Sequence, residues 1–267
     1  MFSPWYRWAG LADPDDHVCI NVALTGPRAR AWAMTERGRG SLTRSARSFS
    51  VGASSLQWTG SDLVLDLEET CSPLPTPLKG RIRLTPARIT DNPVALDAGA
   101  RHVWRPIAPF ARVEARFAAP GLSWDGDGYL DGNIGTEPIE DGFHDWTWMR
   151  AHDGADTVVT YDAHARDGGP RSLALRFGAD GAVTPFAAPA MTSVRGGIWG
   201  VGRPVRSLGA PRLVRAWVDA PFYTRSTVDL SVTPGRTLRA VHEHLAAHRL
   251  RNPVVQAMLT VKMPRRT

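Results

Sequence analysis

The sequence predicts an all-β protein built from two β-barrel-like domains, residues 1–138 and 139–267, with one short helix near the C-terminus. Three observations carry this expectation. Apolar and polar residues alternate with period two in many short runs, the pattern of half-buried strands. The 25 glycines and 21 prolines are scattered as punctuation between those runs. The runs recur about every 8–12 residues, which is the spacing of a sandwich or barrel.

Taken in order, residues 17–24 read as a strand closed by Gly26-Pro27, and 30–37 as the next. Residues 62–68 alternate cleanly after a Thr59-Gly60 turn, and 80–84 alternate as well. In the second half, strands are predicted at 143–150, 157–164, 172–177, 182–186, 212–218, 226–232 and 236–241. The one helix proposed is 252–259, with Asn252 as N-cap and Pro253 at the first helical position. Each half holds enough strands to close one barrel. The boundary is placed near 138, with Pro109 and Pro120 as rival positions.

Composition bounds the function. A chain of 267 residues with 43% hydrophobic and 22% charged side chains is ordinary for a globular protein, which excludes a disordered or fibrous chain. No stretch approaches the ~20 consecutive apolar residues of a membrane span, and residues 1–8 lack the apolar core of a signal peptide. The expected compartment is the cytoplasm. Cys19 and Cys71 form no C-x-x-C pair and read as free thiols, with no zinc signature. The net charge is +6, and all but two of the 32 cationic side chains are arginines spread along the chain. No nucleic-acid partner is expected. Peripheral attraction to an anionic membrane is, since each cation near such a surface contributes roughly 1 kcal/mol.

Three stretches could carry chemistry. In 122–135, an extended backbone would put Tyr129, Asp131 and Asn133 on one face; the alternative is a turn-rich loop in which Asp and Asn bond their own backbone. In 101–105, His102 and Trp104 share a face, as a structural pair or as a site. In 143–150, His144, Trp146, Trp148 and Arg150 form a stripe that either fills a core or lines a cavity for a large apolar ligand. Glu36, Arg37, Arg105 and Asp145 are expected to form buried ion-pair scaffolding. No nucleophile elbow, P-loop, H-E-x-x-H or dinucleotide fingerprint occurs. His242 and His244 could ligate a metal from one strand, but no third ligand stands at a recognisable spacing, so neither a metal nor a cofactor is expected.

The chain resembles the carotenoid 1,2-hydratases, or hydroxyneurosporene synthases, of phototrophic bacteria. The matching stretches are Phe2-Ser3-Pro4-Trp5-Tyr6, 21–27 leading into 32–39, His102-Val103-Trp104-Arg105-Pro106-Ile107-Ala108-Pro109, Gly128-Tyr129-Leu130-Asp131-Gly132-Asn133, 141–150, 219–226 and Met263-Pro264-Arg265. They recur in order over nearly the whole chain. Two places depart from the family pattern: His244 replaces a Ser after His-Glu, and 246–249 differs from the usual Leu-Asp-Arg stretch. The resemblance implies two lipocalin-like barrels and cofactor-free addition of water to the terminal 1,2 double bond of an acyclic carotenoid such as neurosporene or lycopene. The residues it implicates in catalysis carry over as His102, Trp104, Tyr129 and Asp131. Trp146, Trp148, Asn133 and Trp124 are the candidates for lining the substrate pocket.

A trisubstituted alkene is a poor base, so its protonation needs a neutral, well-placed acid. Asp131 is assigned that role, because desolvation disfavours a carboxylate in an apolar pocket. Tryptophan faces would stabilise the cation. His102 would orient the attacking water and take its proton, and Tyr129 would set the carboxyl rotamer or relay the proton. Two other readings use the same residues. In a proton-initiated terpenoid cyclase an internal alkene traps the cation, and a carotenoid or lipid carrier binds without reaction.

Overall fold

The computed structural model describes residues 3–10, 13–27 and 30–266. Phe2, at the head of the first matching stretch, lies outside the described residues. The fold is all-β with a short C-terminal helix, as the alternation predicts. Two antiparallel sheets dominate, one of eight strands and one of seven. Among the described residues, neither sheet pairs its first strand with its last, so in hydrogen-bonding terms both are open.

The chain divides into two compact units, each made of discontinuous segments. One holds Phe2–Ala87, Ala111–Tyr129 and Gln256–Thr267; the other holds Arg88–Phe110 and Leu130–Val255. In the first unit a meander runs through Leu42–Arg44, Ser48–Val51, Ser54–Trp58, Leu63–Thr70 and Pro77–Pro86, ending on Ala111 to Ala119 of the long strand His102–Ala119. Its core gathers Val51, Leu67, Leu78, Ala115 and Phe117 from the sheet and Val18, Ile20, Val22, Leu24 and Ala33 from before it. The strand expected over 17–24 begins at Asn21, and the one over 30–37 breaks into Arg30–Met34 and Glu36–Arg37. Val18 instead bridges Arg37.

The first unit ties its sequence ends together around a buried carboxylate. Glu36 is fully buried and accepts from the Ser3 hydroxyl and from Arg265 Nη1 at 2.6 Å, with His17 Nδ1 at 2.8 Å. Arg37 likewise pairs with buried Glu69 at 2.8 Å, which also accepts from Ser54. The scaffolding expectation therefore holds for Glu36 and Arg37. It fails for Arg105, which points outward on an alternating strand and meets Asp91 at the surface. It fails also for Asp145, which pairs with half-exposed His164. Removing one member of a buried pair leaves an uncompensated charge, at a cost of roughly 3–5 kcal/mol. Arg265→Ala is accordingly expected to lower the melting temperature by on the order of 10 °C, read by thermal unfolding; an unchanged midpoint would show that Glu36 does not depend on this partner.

Both cysteines are free, Cys19 half-buried and Cys71 buried. Burial, with the charges of Glu36 and Glu69, pushes the Cys19 thiol up to about 11, so it is not a nucleophile near neutral pH.

The second unit holds the seven-stranded sheet in the order Val183–Pro185, Pro170–Phe177, Asp156–Ala165, Phe143–Asp153, Arg236–Leu245, Tyr223–Thr233 and Arg212–Asp219. On one face Met149, Ala151, Val158, Val228, Leu230 and Ala240 form a core. The opposite face buries Trp148, Val159, Tyr161 and Ala163. A sheet covered on both sides explains why 157–163 is nearly unbroken in its burial.

The predicted helix occurs as Pro253–Lys262, with Asn252 Oδ1 accepting from Val254 N at 2.8 Å. The structure adds two short helices that the sequence pattern does not predict. In Pro4–Trp8, Ser3 caps the Tyr6 N–H and Pro4 takes the first position, which is the same Asn/Ser-Pro signal that marks residue 252. Ile139–Gly142 is a single turn with no side-chain cap.

Candidate functional site

Residues 122–135 form one continuous strand, Leu122–Gly135, beside His102–Ala119. The turn-rich alternative is thereby excluded. Its acidic residues are held by the neighbouring strand instead of by local turns, as in the 2.7 Å pair between Asp125 and Arg116. Tyr129, Asp131 and Asn133 fall on one side of this strand, and His102, Trp104, Pro106 and Ala108 on the buried side of the other.

The centre of the site is a contact between the two strands. Trp104, with no exposed surface, donates its Nε1–H to Asp131 Oδ2 at 2.7 Å. The Trp104 ring meets Tyr161 edge-on at 5.7 Å and Phe177 at 6.4 Å, and Trp146 stands 5.8 Å from Tyr161. A half-buried carboxyl is thus held by a directional indole bond beside a group of aromatic rings. Burial pushes the Tyr161 phenol far above its usual range. The phenol stays protonated.

Trp146 and Trp148 lie on the same side of Phe143–Asp153. Trp148 is opposed by Tyr161 on one neighbouring strand and Glu243 on the other. Among the described residues the buried Trp146 indole N–H has no hydrogen-bond partner. The stripe therefore belongs to the site face, while the aliphatic core built on Met149, Val158 and Val228 lies behind the sheet.

His102 is placed differently. Its backbone N–H donates to Asp97, its Nε2 stands 3.3 Å from Glu137 Oε1, and its ring meets Phe143 edge-on at 4.7 Å. Gly135 and Gly142 close the slot on either side: a Cβ at Gly142 would stand 2.3 Å from His102 Nε2, and one at Gly135 2.8 Å from Nδ1. Only glycine allows that approach. His144 is exposed at the edge of its strand.

Tyr129 is half-buried and closes the strand segment that belongs to the first unit. Asn133 is exposed. Trp124 stacks on Phe117 at 5.7 Å within the first unit, beside Arg116. A groove of about 660 Å³ in that unit is lined by Leu67, Phe117, Leu122, Asp66, Lys79 and Arg116, and contains none of the four catalytic candidates.

His242 and His244 face away from the aromatic side. His242 Nε2 lies 2.7 Å from the Pro204 carbonyl, and burial holds its pKa down to about 4. His244 bonds to Thr147 and is also lowered by burial. Among the described residues no three His, Cys, Asp or Glu side chains group as a metal site.

Sequence reasoning misses Tyr161, Phe177 and Glu243. They arrive from three strands through sheet register, and no local spacing marks them.

The model of the carotenoid hydratase CrtC family matches residues 1–267. A protein of Thiocapsa roseopersicina named acyclic carotenoid 1,2-hydratase is 43% identical over 271 residues, covering 99% of this chain and 67% of its own. The protein of that name in Cereibacter sphaeroides is 42% identical over 269 residues, covering 100% and 95%. In Rhodobacter capsulatus the protein of that name is 42% identical over 270 residues, covering 100% and 95%. A crystal structure from Nitrosomonas europaea, provisionally assigned as AttH, superposes with a TM-score of 0.55 at 11% identity, covering 78% of this chain and 72% of that one; the likeness is one of fold.

Proposed function

This chain belongs to the carotenoid hydratase CrtC family, and from that premise we propose that it adds water to the terminal 1,2 double bond of an acyclic carotenoid, with Asp131 as the proton donor. The observation that carries the assignment is the 2.7 Å bond from Trp104 Nε1 to Asp131 Oδ2 beside Tyr161, Trp146 and Phe177. That bond aims the carboxyl, whose proton is the one delivered. Transfer of the proton to the less substituted alkene carbon uses the π pair to make the C–H bond and leaves a tertiary cation. Trp104, Trp146 and Trp148 are the indoles we assign to stabilise such a cation, an attraction of about 2 kcal/mol when desolvated. Water then closes the C–O bond and loses a proton.

The sum of these steps is redox-neutral. Acid, base and water balance it, and on that ground we assign no cofactor. His102, clamped between two glycines and Glu137, acts in this reading as a positioning residue for the strand ends beside the site. Tyr129 and Asn133 flank Asp131 on the same side of its strand.

The purified protein, incubated with neurosporene or lycopene in detergent, is expected to yield a product heavier by one water. An isomer of unchanged mass would mean a cyclase instead. Unchanged carotenoid that stays bound would mean a carrier.

Such a polyene is nearly insoluble in water, so the protein must collect it from a membrane. No helix among the described residues is long and apolar enough to span one. We assign the contact to the loop 196–202, where Ile198 is 86% and Trp199 46% exposed. Arg249 pins the loop by donating to the Trp199 and Gly200 carbonyls. Burying each side chain in lipid contributes about 1.5–3 kcal/mol. Ile198→Asp with Trp199→Asp is therefore expected to weaken sedimentation with anionic vesicles at least about tenfold, and undiminished binding would move the contact elsewhere.

A further inference from the structure

Hydration through a cation moves two protons: Asp131 gives one to carbon, and the attacking water must lose another. The second transfer occurs at the neighbouring carbon and needs its own acceptor. A second carboxylate stands on the same sheet face. Tyr161 is in register with Trp148, Trp148 with Glu243, and Glu243 with Arg225. Directly opposed residues in adjacent strands share a face, so these four form one row across the sheet. The row begins at the phenol that touches Trp104, which in turn holds Asp131.

Glu243 has a cationic partner. Arg225 Nε lies 3.3 Å from its Oε1, and its side chain keeps 18% of its surface exposed. Burial, with the Glu243 charge beside it, holds the Tyr223 phenol protonated. Asp131 and Glu243 are thus differently furnished: one accepts from an indole N–H, the other is ion-paired with an arginine. Two carboxyl groups in unlike surroundings are the usual basis for dividing acid and base roles.

We propose that Glu243 is the base that takes the proton from the attacking water, and that Asp131 regains its proton from solvent. The proposal rests on the hydratase reading above. The water oxygen bonds to the tertiary carbon, its O–H bond breaks, and the proton joins the Glu243 carboxylate. Glu243, with 18% of its side chain exposed, then releases that proton to solvent, and Asp131, left as a carboxylate, takes one back from solvent. Each group ends as it began, and the net reaction is alkene plus water to alcohol.

The test is Glu243→Gln in deuterated water with neurosporene or lycopene in detergent, with product and recovered carotenoid read by mass spectrometry. With Asp131 intact, the variant still forms the cation and reverses. It is expected to lose at least about 100-fold in hydration rate while deuterium still enters the recovered carotenoid. Asp131→Asn is expected to lose both. Glu243→Asp, which keeps a carboxylate, is expected to recover part of the hydration, and thermal unfolding of both variants checks that they fold. Near-normal hydration by Glu243→Gln overturns the proposal, as does equal loss of hydration and deuterium uptake in a folded variant, which would make Glu243 part of the scaffold. If the unaltered protein neither hydrates nor exchanges, the hydratase reading itself falls and this one with it.

Discussion

Asp131→Asn is expected to abolish carotenoid hydration and leave the fold in place. The amide oxygen still accepts from Trp104 Nε1, so the bond between the two strands survives the change. The amide has no proton acidic enough to give to an alkene. Positioned general acids contribute about 10²–10⁴-fold, and an alkene is a weak enough base that the loss should reach at least about 10³-fold. Activity should not return with carotenoid concentration, because the deficit lies in the chemical step and not in binding. Unfolding by denaturant should give the same midpoint as the unaltered protein. A folded variant that keeps near-normal turnover would place the acid elsewhere.

The second large effect concerns the indole that holds the carboxyl. Trp104→Phe keeps an aromatic ring against Tyr161 and Phe177 but removes the N–H. A hydrogen bond to a charged or strongly polar partner contributes about 1.5–3 kcal/mol, so kcat should fall roughly 10- to 100-fold while KM changes little. Trp104→Ala adds a cavity in a fully buried position and should destabilise the fold by about 3–5 kcal/mol. The pair of variants separates aiming from packing. If the phenylalanine variant retained its kcat, Trp104 would serve the core alone.

Much of this architecture is legible in the sequence because it is local. The alternation over 62–68 becomes the strand Leu63–Thr70, and Asn252-Pro253 starts the helix Pro253–Lys262. Ser3-Pro4 carries the same helix-start signal. That helix is only five residues long and has no periodic face to draw attention to it. The strand Leu122–Gly135 is harder to read because Asp and Gly favour turns. It is the pairing with its neighbour, together with the cross-strand arginines, that keeps it extended.

The site is legible in part. Period two places Trp104 and Asp131 on the inner sides of their strands, but spacing cannot say which indole meets which carboxyl. It likewise cannot show that the His102 ring is wedged between Gly135 and Gly142. Tyr161 and Glu243 are 82 residues apart in sequence and become neighbours-but-one only through the registers of Phe143–Asp153 with the strands on either side. Trp124, grouped with the substrate-lining residues by sequence, stacks on Phe117 in the first unit.

The central claim is that a protein carboxyl supplies the proton and water supplies the oxygen. Incubating the unaltered protein with an acyclic carotenoid in water labelled with heavy oxygen and deuterium tests both at once. The expected product carries one labelled hydroxyl on the tertiary terminal carbon and one deuterium on the carbon beside it. A hydroxyl without the label, or an unlabelled isomer as the sole product, would contradict it.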